Sequence, residues 1–291
     1  MELEAKAIDT YLVQLENNIL GLGQDIIEQA DSINLEQAFI LTGRFKERHP
    51  ELYNVTFIRA DGQILFAAIS PPSPKLPTLA MQPSFIKFCD ELKLNNPISV
   101  GQPLEGVLTH EWIIPLRYMI NDRDGRPAYI ISANLPVEML LDFWKEAPFT
   151  KSAALGLMRD DGFLVSRYPV PDKLKMEKIY GEARTGALIG YLRQENFPAS
   201  GYVEGASSLD GPNFLNTFRR LDHFPITLFV ATPMSEIFEA WWNKVKTPYM
   251  LTTVLLIGVF FFYQFSFRRE QFSLLIPKFL FFWQKNYASC S

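Results

Sequence analysis

Four side chains that occur close together in the chain, Trp112, Arg117, Tyr118 and Tyr129, offer the chemistry of a small-ligand site. The planar guanidinium of an arginine donates two parallel hydrogen bonds, which suits a carboxylate. Aromatic rings supply the apolar walls that are common in small-molecule pockets, and we expect Phe85 to add another ring. The sequence therefore predicts a site for a small polar or anionic ligand. The alternative is that Arg117 forms an ion pair at the surface, or one that bridges to the inserted segment before it.

A second set of the same residue types follows later in the chain and consists of Arg167, Tyr168, Tyr202 and Arg219. By the same reasoning these four are further candidates for ligand binding. The alternative, that they are ordinary surface or structural side chains, stands beside it.

Enzymatic chemistry is not indicated by the motifs of this sequence. It contains no P-loop, no G-x-S-x-G and no H-E-x-x-H. His49, His110 and His223 stand alone in predicted turns or strand ends, which is typical of solvated or hydrogen-bonded histidines. The run RDDG, 159–162, has too few oxygen ligands for a calcium loop and reads as a turn. We therefore predict no catalytic residues, no metal and no cofactor.

The composition excludes one further class of function. The chain has 291 residues, a formal net charge of −4 and a pI near 5.5, which argue against a nucleic-acid-binding surface. A hydrophobic content of 48% is enough to bury sizeable cores. Cys89 and Cys290 lie far apart and form neither a disulfide framework nor a metal-ligand spacing.

One strand–turn–strand pattern occurs twice. Residues 57–65 read FIRADGQIL, and residues 157–165 read LMRDDGFLV. Each copy has apolar residues typical of strands on both sides of an Asp-Gly turn. The agreement extends to a second hairpin in each copy and to a helix start with the same spacing from proline to tryptophan, at 136–144 and at 233–241. The chain therefore contains two copies of one module.

Each module has a long irregular segment between its two hairpins. In the first module this segment runs from Pro71 to Pro103, is rich in proline and contains a short helical stretch, SFIKFCDELK. Long insertions over one face of a sheet commonly cover binding pockets. The order of elements predicts an α+β fold in which antiparallel sheets pack against helices.

The N-terminal segment is predicted to form a long helix with one apolar stripe. The stripe has a heptad-like spacing and consists of Ile8, Leu12, Leu15, Ile19, Leu22 and Ile26. Two interpretations remain open, a helix packed on its own domain and the stalk of a parallel homodimer. A second helix is predicted to begin near Asn34, a good N-cap, and to end before Pro50.

A membrane-spanning helix is predicted near the C-terminus. Residues 247–267 contain no charge and are long enough for the hydrocarbon core of a lipid bilayer, which is about 30 Å thick. Trp241, Trp242 and Tyr249 lie at one end and Tyr263 at the other, as in interfacial aromatic belts. Basic residues are in excess after the span, which indicates a cytoplasmic C-terminal side.

Two such modules in tandem, with a long helix before them and a membrane helix directly after them, resemble the double Cache sensor region of bacterial membrane receptors. The phrases that carry the likeness are GLMRDDGFLVSRYP, SSLDGPNFLNTFRRLDHFPITLFVATP and EWIIPLRYMINDRDGRPAYIISANLP. They look most like the sensors of GGDEF-type diguanylate cyclases or sensor histidine kinases. The resemblance implies five parts: a helical stalk (1–49), a membrane-distal PAS-like module (50–147), a membrane-proximal PAS-like module (148–243), a transmembrane helix (247–267) and a short cytoplasmic tail (268–291).

The function implied by the resemblance is that of a small-molecule sensor on the periplasmic side of the bacterial inner membrane. In such receptors a membrane helix precedes the sensor and an output domain follows it. Neither is visible in this sequence, so we expect a sensor without its transmitter. The aromatic and arginine pattern of amino-acid-sensing members is missing from SFIKFCDELK, which argues against an amino-acid ligand. The alternative function is that of a non-catalytic protein that pairs with full-length receptors.

Overall fold

The structure, a computed structural model of the chain, describes residues 1–28, 34–92, 98–122, 124–140, 152–170, 172, 175–207 and 211–287. Residues 1–234 form one compact unit, and the remaining residues form a second unit.

The first sheet is antiparallel and lies in the first half of the chain. Its strands are β1 (Asn54–Arg59), β2 (Ile64–Ala67), β3 (Ile98–Val100), β4 (Leu104–Glu105), β5 (Trp112–Asn121) and β6 (Pro127–Pro136). The order across the sheet is β2-β1-β6-β5-β3, and β4 also pairs with β5.

The second sheet is antiparallel and has five strands. They are β7 (Ala154–Arg159), β8 (Leu164–Tyr168), β9 (Ser200–Ser207), β10 (Gly211–Arg220) and β11 (Ile226–Pro233). Their order is β8-β7-β11-β10-β9. Apart from β4, the chain follows the same path through both sheets, which is consistent with the predicted tandem of PAS-like modules. We refer to the two halves of the unit as module one and module two.

The repeat extends to the geometry of the Asp-Gly turns. Gly62 and Gly162 both have φ +94°, a left-handed backbone conformation that residues with a Cβ rarely adopt. The register of the β1–β2 pair shifts between Phe57 and Ile58, and that of the β7–β8 pair shifts at the equivalent place, between residues 157 and 158. The two copies of the motif therefore form the same bulged hairpin.

The N-terminal helix α1 (Glu2–Glu28) packs against both modules. It contacts β5 and β6 of module one and β10 of module two. All six residues of its apolar stripe are buried in the core of the chain. The prediction of a homodimer along this stripe is therefore wrong, because the residues that would meet a second chain already pack within their own chain.

The second helix, α2 (Leu35–Arg48), has the predicted cap. The side-chain oxygen of Asn34 accepts hydrogen bonds from the backbone N–H groups of Glu36 (3.0 Å) and Gln37 (3.3 Å). In the inserted segment of module one, the predicted short helix is α3 (Pro83–Leu92).

Five elements were not predicted from the sequence. They are the strands β3, β4 and β9 and the helices α4 (Met176–Tyr180) and α5 (Ala187–Gln194). A helix was predicted for residues 136–144. Instead, Pro136 is the last residue of strand β6 and a turn follows it. The part of the prediction from residue 141 onwards lies outside the described residues.

The last helix, α6 (Met234–Tyr287), begins directly after β11, as predicted from Pro233. Its stretch from Met234 to Ser266 is long and apolar enough to cross a membrane, by length and composition. Its apolar side chains, among them Leu255 and Val259, are exposed. The helical backbone continues beyond residue 267, where the predicted tail begins.

Candidate functional site

One face of the sheet of module one carries a cavity of about 40 Å³. Alternation of side chains along the strands brings positions 54, 56 and 58 of β1, 113, 115 and 117 of β5, and 132 and 134 of β6 to this face. The inserted segment covers the cavity with Leu79 and Gln82, and the loop after β4 adds residues 106–109. The cavity therefore lies where the sequence predicted a covered site.

The floor of the cavity is polar and connected. The hydroxyl of Ser132 donates a 2.9 Å hydrogen bond to Oδ1 of Asn134. The amide nitrogen of Asn134 donates in turn to Oγ1 of Thr56, at 3.3 Å. All three residues are buried, so this short network fixes the orientation of polar groups inside an otherwise apolar sheet.

Four polar atoms of the lining residues are buried and have no hydrogen-bond partner among the described residues. They are Oδ1 of Asn54, Oε1 of Gln82, Oγ1 of Thr109 and Nε of Arg117. An unpaired buried polar atom costs about 1–3 kcal/mol. Native proteins pair nearly all such atoms with protein groups, ordered water or ligands, and here the four atoms meet at one cavity, where a small polar molecule can pair with them.

Arg117 is the only charged residue among the described residues that line this cavity. Its side chain is 3% exposed. Nη1 donates a 2.7 Å hydrogen bond to the carbonyl oxygen of Ser84, and no described carboxylate contacts the guanidinium. Burial lowers the pKa of Arg117 to about 10, because the charged form loses its hydration. A buried cation without a contacting anion favours an anionic ligand.

Helix α3 forms the support of this arginine. Its residue Ser84 accepts the hydrogen bond, and the rings of Phe85 and Phe88 lie 5.8 and 5.7 Å from the guanidinium carbon. These distances allow a cation–π attraction. The predicted role of Phe85 as a wall beside Arg117 agrees with this position, although Phe85 itself belongs to the small core under α3.

Three other candidates of module one lie on the opposite face of the sheet, which corrects their predicted position. Trp112 and Tyr118 have the other parity from Arg117 along β5, so their side chains point away from the cavity. Tyr118 packs beside Gly23 of α1, and Tyr129 stacks on Phe57 at 5.2 Å. They therefore do not line the cavity.

The four candidates of module two line neither the cavity of module one nor the larger cavity beside Arg159. Tyr168 and Tyr202 are exposed. Arg219 lies 3.9 Å from Glu2 of α1, at the range of a weak ion pair. Arg167 lies on β8 next to Tyr168. Their ligand-binding role stays a prediction without a shared cavity.

A group of charged side chains joins module one to module two. Nη2 of Arg159 lies 2.8 Å from Oε1 of Glu91 in α3 and 3.0 Å from Oδ2 of Asp161. Nη1 of Arg159 donates to the carbonyl oxygen of Val100, and Lys87 of α3 pairs with Asp161. A second cavity of about 360 Å³ adjoins this group.

The ion pairs of this group shift the ionisation of its members. Burial opposes the charge of Arg159, but Asp161 and Glu91 outweigh it, so the pKa of Arg159 is raised. The pKa of Asp161 is lowered despite its burial, because Arg159 and Lys87 stabilise the carboxylate. In the described part of the chain, no group of three metal-ligating side chains occurs.

Sequence reasoning missed most of the cavity lining. The missed residues with polar side chains are Asn54, Thr56, Gln82, Thr109, Ser132 and Asn134. A signal was present in the strands, because positions 54 and 56, and 132 and 134, place polar residues two apart within apolar runs. On a buried sheet face, such a pattern marks a polar site.

The sequence matches no protein-family model and no curated protein. Solved structures do match. The extracellular domain of the putative histidine kinase rpHK1S-Z16 is 16% identical, with a TM-score of 0.60 over 82% of this chain and 94% of that one. The ligand-binding domain of the Pseudomonas aeruginosa PAO1 amino acid chemoreceptor PctB, in complex with L-Gln, is 13% identical, with a TM-score of 0.59 over 85% and 95%.

The chain has the fold of these sensor domains. The likeness confirms, at the level of the fold, the predicted resemblance to double Cache sensor regions. A further neighbour with this sensor fold is the ligand-binding domain of the chemoreceptor PctC from the same organism, in complex with GABA, at 14% identity and a TM-score of 0.53 over 79% and 94%. The particular link to diguanylate cyclases stays a prediction.

Proposed function

We propose that the chain is the extracytoplasmic small-molecule sensor of a membrane signal-transduction receptor. The observation that carries this proposal is the covered cavity of module one, where Arg117 and three unpaired polar atoms are buried together. The sensor fold of the neighbours and the apolar stretch of α6 support it. Ligand recognition, and not catalysis, is the activity assigned to the site.

The ligand class follows from the charges of the lining. A carboxylate would pair with Arg117, whose charge no described carboxylate contacts. An ammonium group would need an anionic partner, and the described lining residues include no aspartate or glutamate. The oxygens of Asn54, Gln82 and Thr109 suit a neutral donor such as a hydroxyl. The ligand is therefore a small carboxylic acid without a charged amine.

The size of the cavity sets a second limit. A volume of about 40 Å³ holds roughly three water molecules. Three waters correspond to about 90 Å³ of liquid, the volume of an organic acid with two or three carbons. PctB and PctC are seen with L-Gln and GABA, which carry an amine. The described lining of this cavity contains no aspartate or glutamate, so it should prefer a ligand without an amine.

The test compares two probes with the same carbon skeleton, L-lactate and L-alanine. Lactate carries a hydroxyl group at the carbon where alanine carries an ammonium group. We expect lactate to raise the unfolding temperature of the full chain in detergent and alanine to leave it unchanged, because a ligand stabilises the state that binds it. Replacing Arg117 by Ala should abolish the lactate effect while the unliganded protein still folds.

A gain-of-function variant sharpens this test. Gln82→Glu has almost the same shape and places a carboxylate at the cavity, so alanine should now stabilise the chain and lactate should lose its effect. Stabilisation of the wild type by alanine alone would overturn the ligand class but keep the sensor. No stabilisation by any small organic acid or amine would overturn the sensor role itself.

The topology of the receptor belongs to the same proposal. The sensor modules lie in the periplasm of a bacterium, the apolar stretch of α6 crosses the inner membrane, and the C-terminal end lies in the cytoplasm. The charge distribution around the span supports this orientation. A homodimer remains part of the proposal, but it must use a surface other than the buried stripe of α1.

A further inference from the structure

The Arg-x-Asp-Gly motif occurs in both modules, but its arginine has different contacts in the two copies. In module one, Arg59 pairs with Asp61 at 2.6 Å, and the two side chains are 52% and 57% exposed. All described hydrogen bonds and ion pairs of the Arg59 side chain stay within the turn. In module two, the side chain of Arg159 is 12% exposed, and besides Asp161 it reaches Glu91 and Val100 of module one.

The contacts of Arg159 hold the segment that covers the ligand cavity. Glu91 lies in the last turn of α3, and its other carboxylate oxygen accepts a 2.6 Å hydrogen bond from the hydroxyl of Ser99 in β3. Val100 belongs to the same strand. One guanidinium of module two thus fixes both the end of α3 and the edge strand β3. Asp161 adds a second link to α3 through Lys87.

The same helix holds Arg117 at its other end. Ser84, in the first turn of α3, accepts the hydrogen bond of Arg117, while Glu91 binds Arg159. The two arginines line one narrow cavity of about 10 Å³, together with Phe88. Because the ten residues of α3 form one rigid rod, a displacement at Glu91 moves Ser84 as well.

We propose that Arg159 is a positioning residue for the ligand site of module one, and that the site is completed from module two. This proposal rests on the function proposed above. Arg159 holds α3 at the distance that places Ser84 and the two phenylalanine rings around Arg117. It does not touch the ligand itself. By reciprocity, a ligand that draws Arg117 and α3 together changes the contact with Arg159, which ends strand β7.

The experiment uses matched arginine-to-lysine variants of the full chain in detergent. Arg159→Lys keeps the charge but loses the planar fork, and Arg59→Lys makes the same change in the exposed copy of the motif. We expect Arg159→Lys to weaken L-lactate binding, measured by titration calorimetry, by roughly tenfold, within the 5–150-fold range of typical couplings. Arg59→Lys should leave the affinity unchanged.

A second variant guards against a failure to fold. Glu91→Gln removes the charge that Arg159 meets on α3 and keeps the shape of the side chain. Its loss of affinity should match that of Arg159→Lys, and the double variant should bind no more weakly than either single variant. A purely structural cross-link would lower the unfolding temperature of these variants without changing their affinity.

Hydrogen exchange provides a readout that needs no ligand. In unliganded Arg159→Lys, the backbone amides of α3 should exchange faster than in the wild type, while Arg59→Lys should show no change. Equal protection of α3 in all three proteins, or equal lactate affinity of Arg159→Lys and wild type, overturns the positioning role. A wild type that binds no lactate but shows the expected exchange would contradict only the proposed ligand.

Discussion

The ring Nδ1 of His223 lies 2.6 Å from Oδ2 of Asp9, and this contact joins the turn between β10 and β11 to helix α1. The backbone N–H of His223 donates to the other oxygen of the same carboxylate, at 3.1 Å. Asp9 is buried, whereas the imidazole is largely exposed. A single carboxylate of the N-terminal helix therefore binds both the backbone and the side chain of the last hairpin.

This contact predicts a pH dependence of stability. The hydrogen bond to Asp9 raises the pKa of His223 above its usual 6.5, with smaller contributions from Asp222 and Glu16. A group with a raised pKa in the folded state stabilises the fold fully below the unfolded pKa, and this contribution is lost as the pH rises through the folded value. The unfolding temperature of the wild type should therefore exceed that of His223→Gln at pH 6. The difference should shrink towards pH 8.5, and a difference that grows with pH would contradict the assignment.

Two glycines of α1 predict different outcomes for the same substitution. A Cβ at Gly21 would meet no atom within 4 Å, whereas a Cβ at Gly23 would lie 3.0 Å from Cε1 of Tyr118. Gly21→Ala should raise the free energy of unfolding by about 0.5–1 kcal/mol, because alanine lowers the entropy cost of the helix. Gly23→Ala should be less stable than Gly21→Ala by about 1 kcal/mol or more, since Tyr118 must move. Urea unfolding of the two variants gives the comparison.

The buried stripe of α1 predicts loss of folding stability, and not separation of subunits, when it is changed. Leu15→Ala should cost about 2–5 kcal/mol of unfolding free energy, as a cavity forms in the core. The exposed neighbour Gln14 is the control, and Gln14→Ala should stay within about 0.5 kcal/mol of the wild type. Light scattering should give the same mass for all three proteins. A lower mass for Leu15→Ala with unchanged stability would restore the dimer stripe.

Membrane insertion of α6 is open to a direct test. Leu255 and Val259 lie one turn apart in the apolar stretch, and arginine at both positions adds about 5–7 kcal/mol to the free energy of insertion. The wild type should remain in the membrane fraction after alkaline carbonate extraction, and the double variant should not. The matched control places arginine at Glu239 and Asn243, also one turn apart but before the uncharged run 247–267, and should leave the membrane fraction unchanged. Extraction of the wild type itself would exclude a spanning helix.

The repeated hairpins and the capped helix α2 could be predicted from sequence because their signals are local. An Asp-Gly turn between apolar runs and an Asn34 cap each depend on a few neighbouring residues. The edge strand β9 was missed because its sequence, SGYVEGAS, contains two glycines and no strong alternation. Its strand conformation depends on pairing with β10, which a local pattern does not show.

The candidate site was predicted in part for a related reason. Arg117 was predicted because its guanidinium suits a carboxylate and its hairpin follows the inserted segment. Tyr118 was placed beside it by proximity in sequence, although adjacent residues of a strand face opposite sides of the sheet. The contacts of Arg159 with Glu91 and Val100 join residues that are far apart in the chain, so only the tertiary fold brings them together.

Because α1 packs against both sheets, the two modules are not interchangeable parts, although their sheets share one design. A module two transplanted into another protein of this fold would leave behind the helix that covers β10 and supplies Asp9 to His223. Recombination between proteins with this fold should therefore favour exchange of the whole segment from α1 to β11. We therefore expect two modules that share one helix to be inherited together, as a single segment.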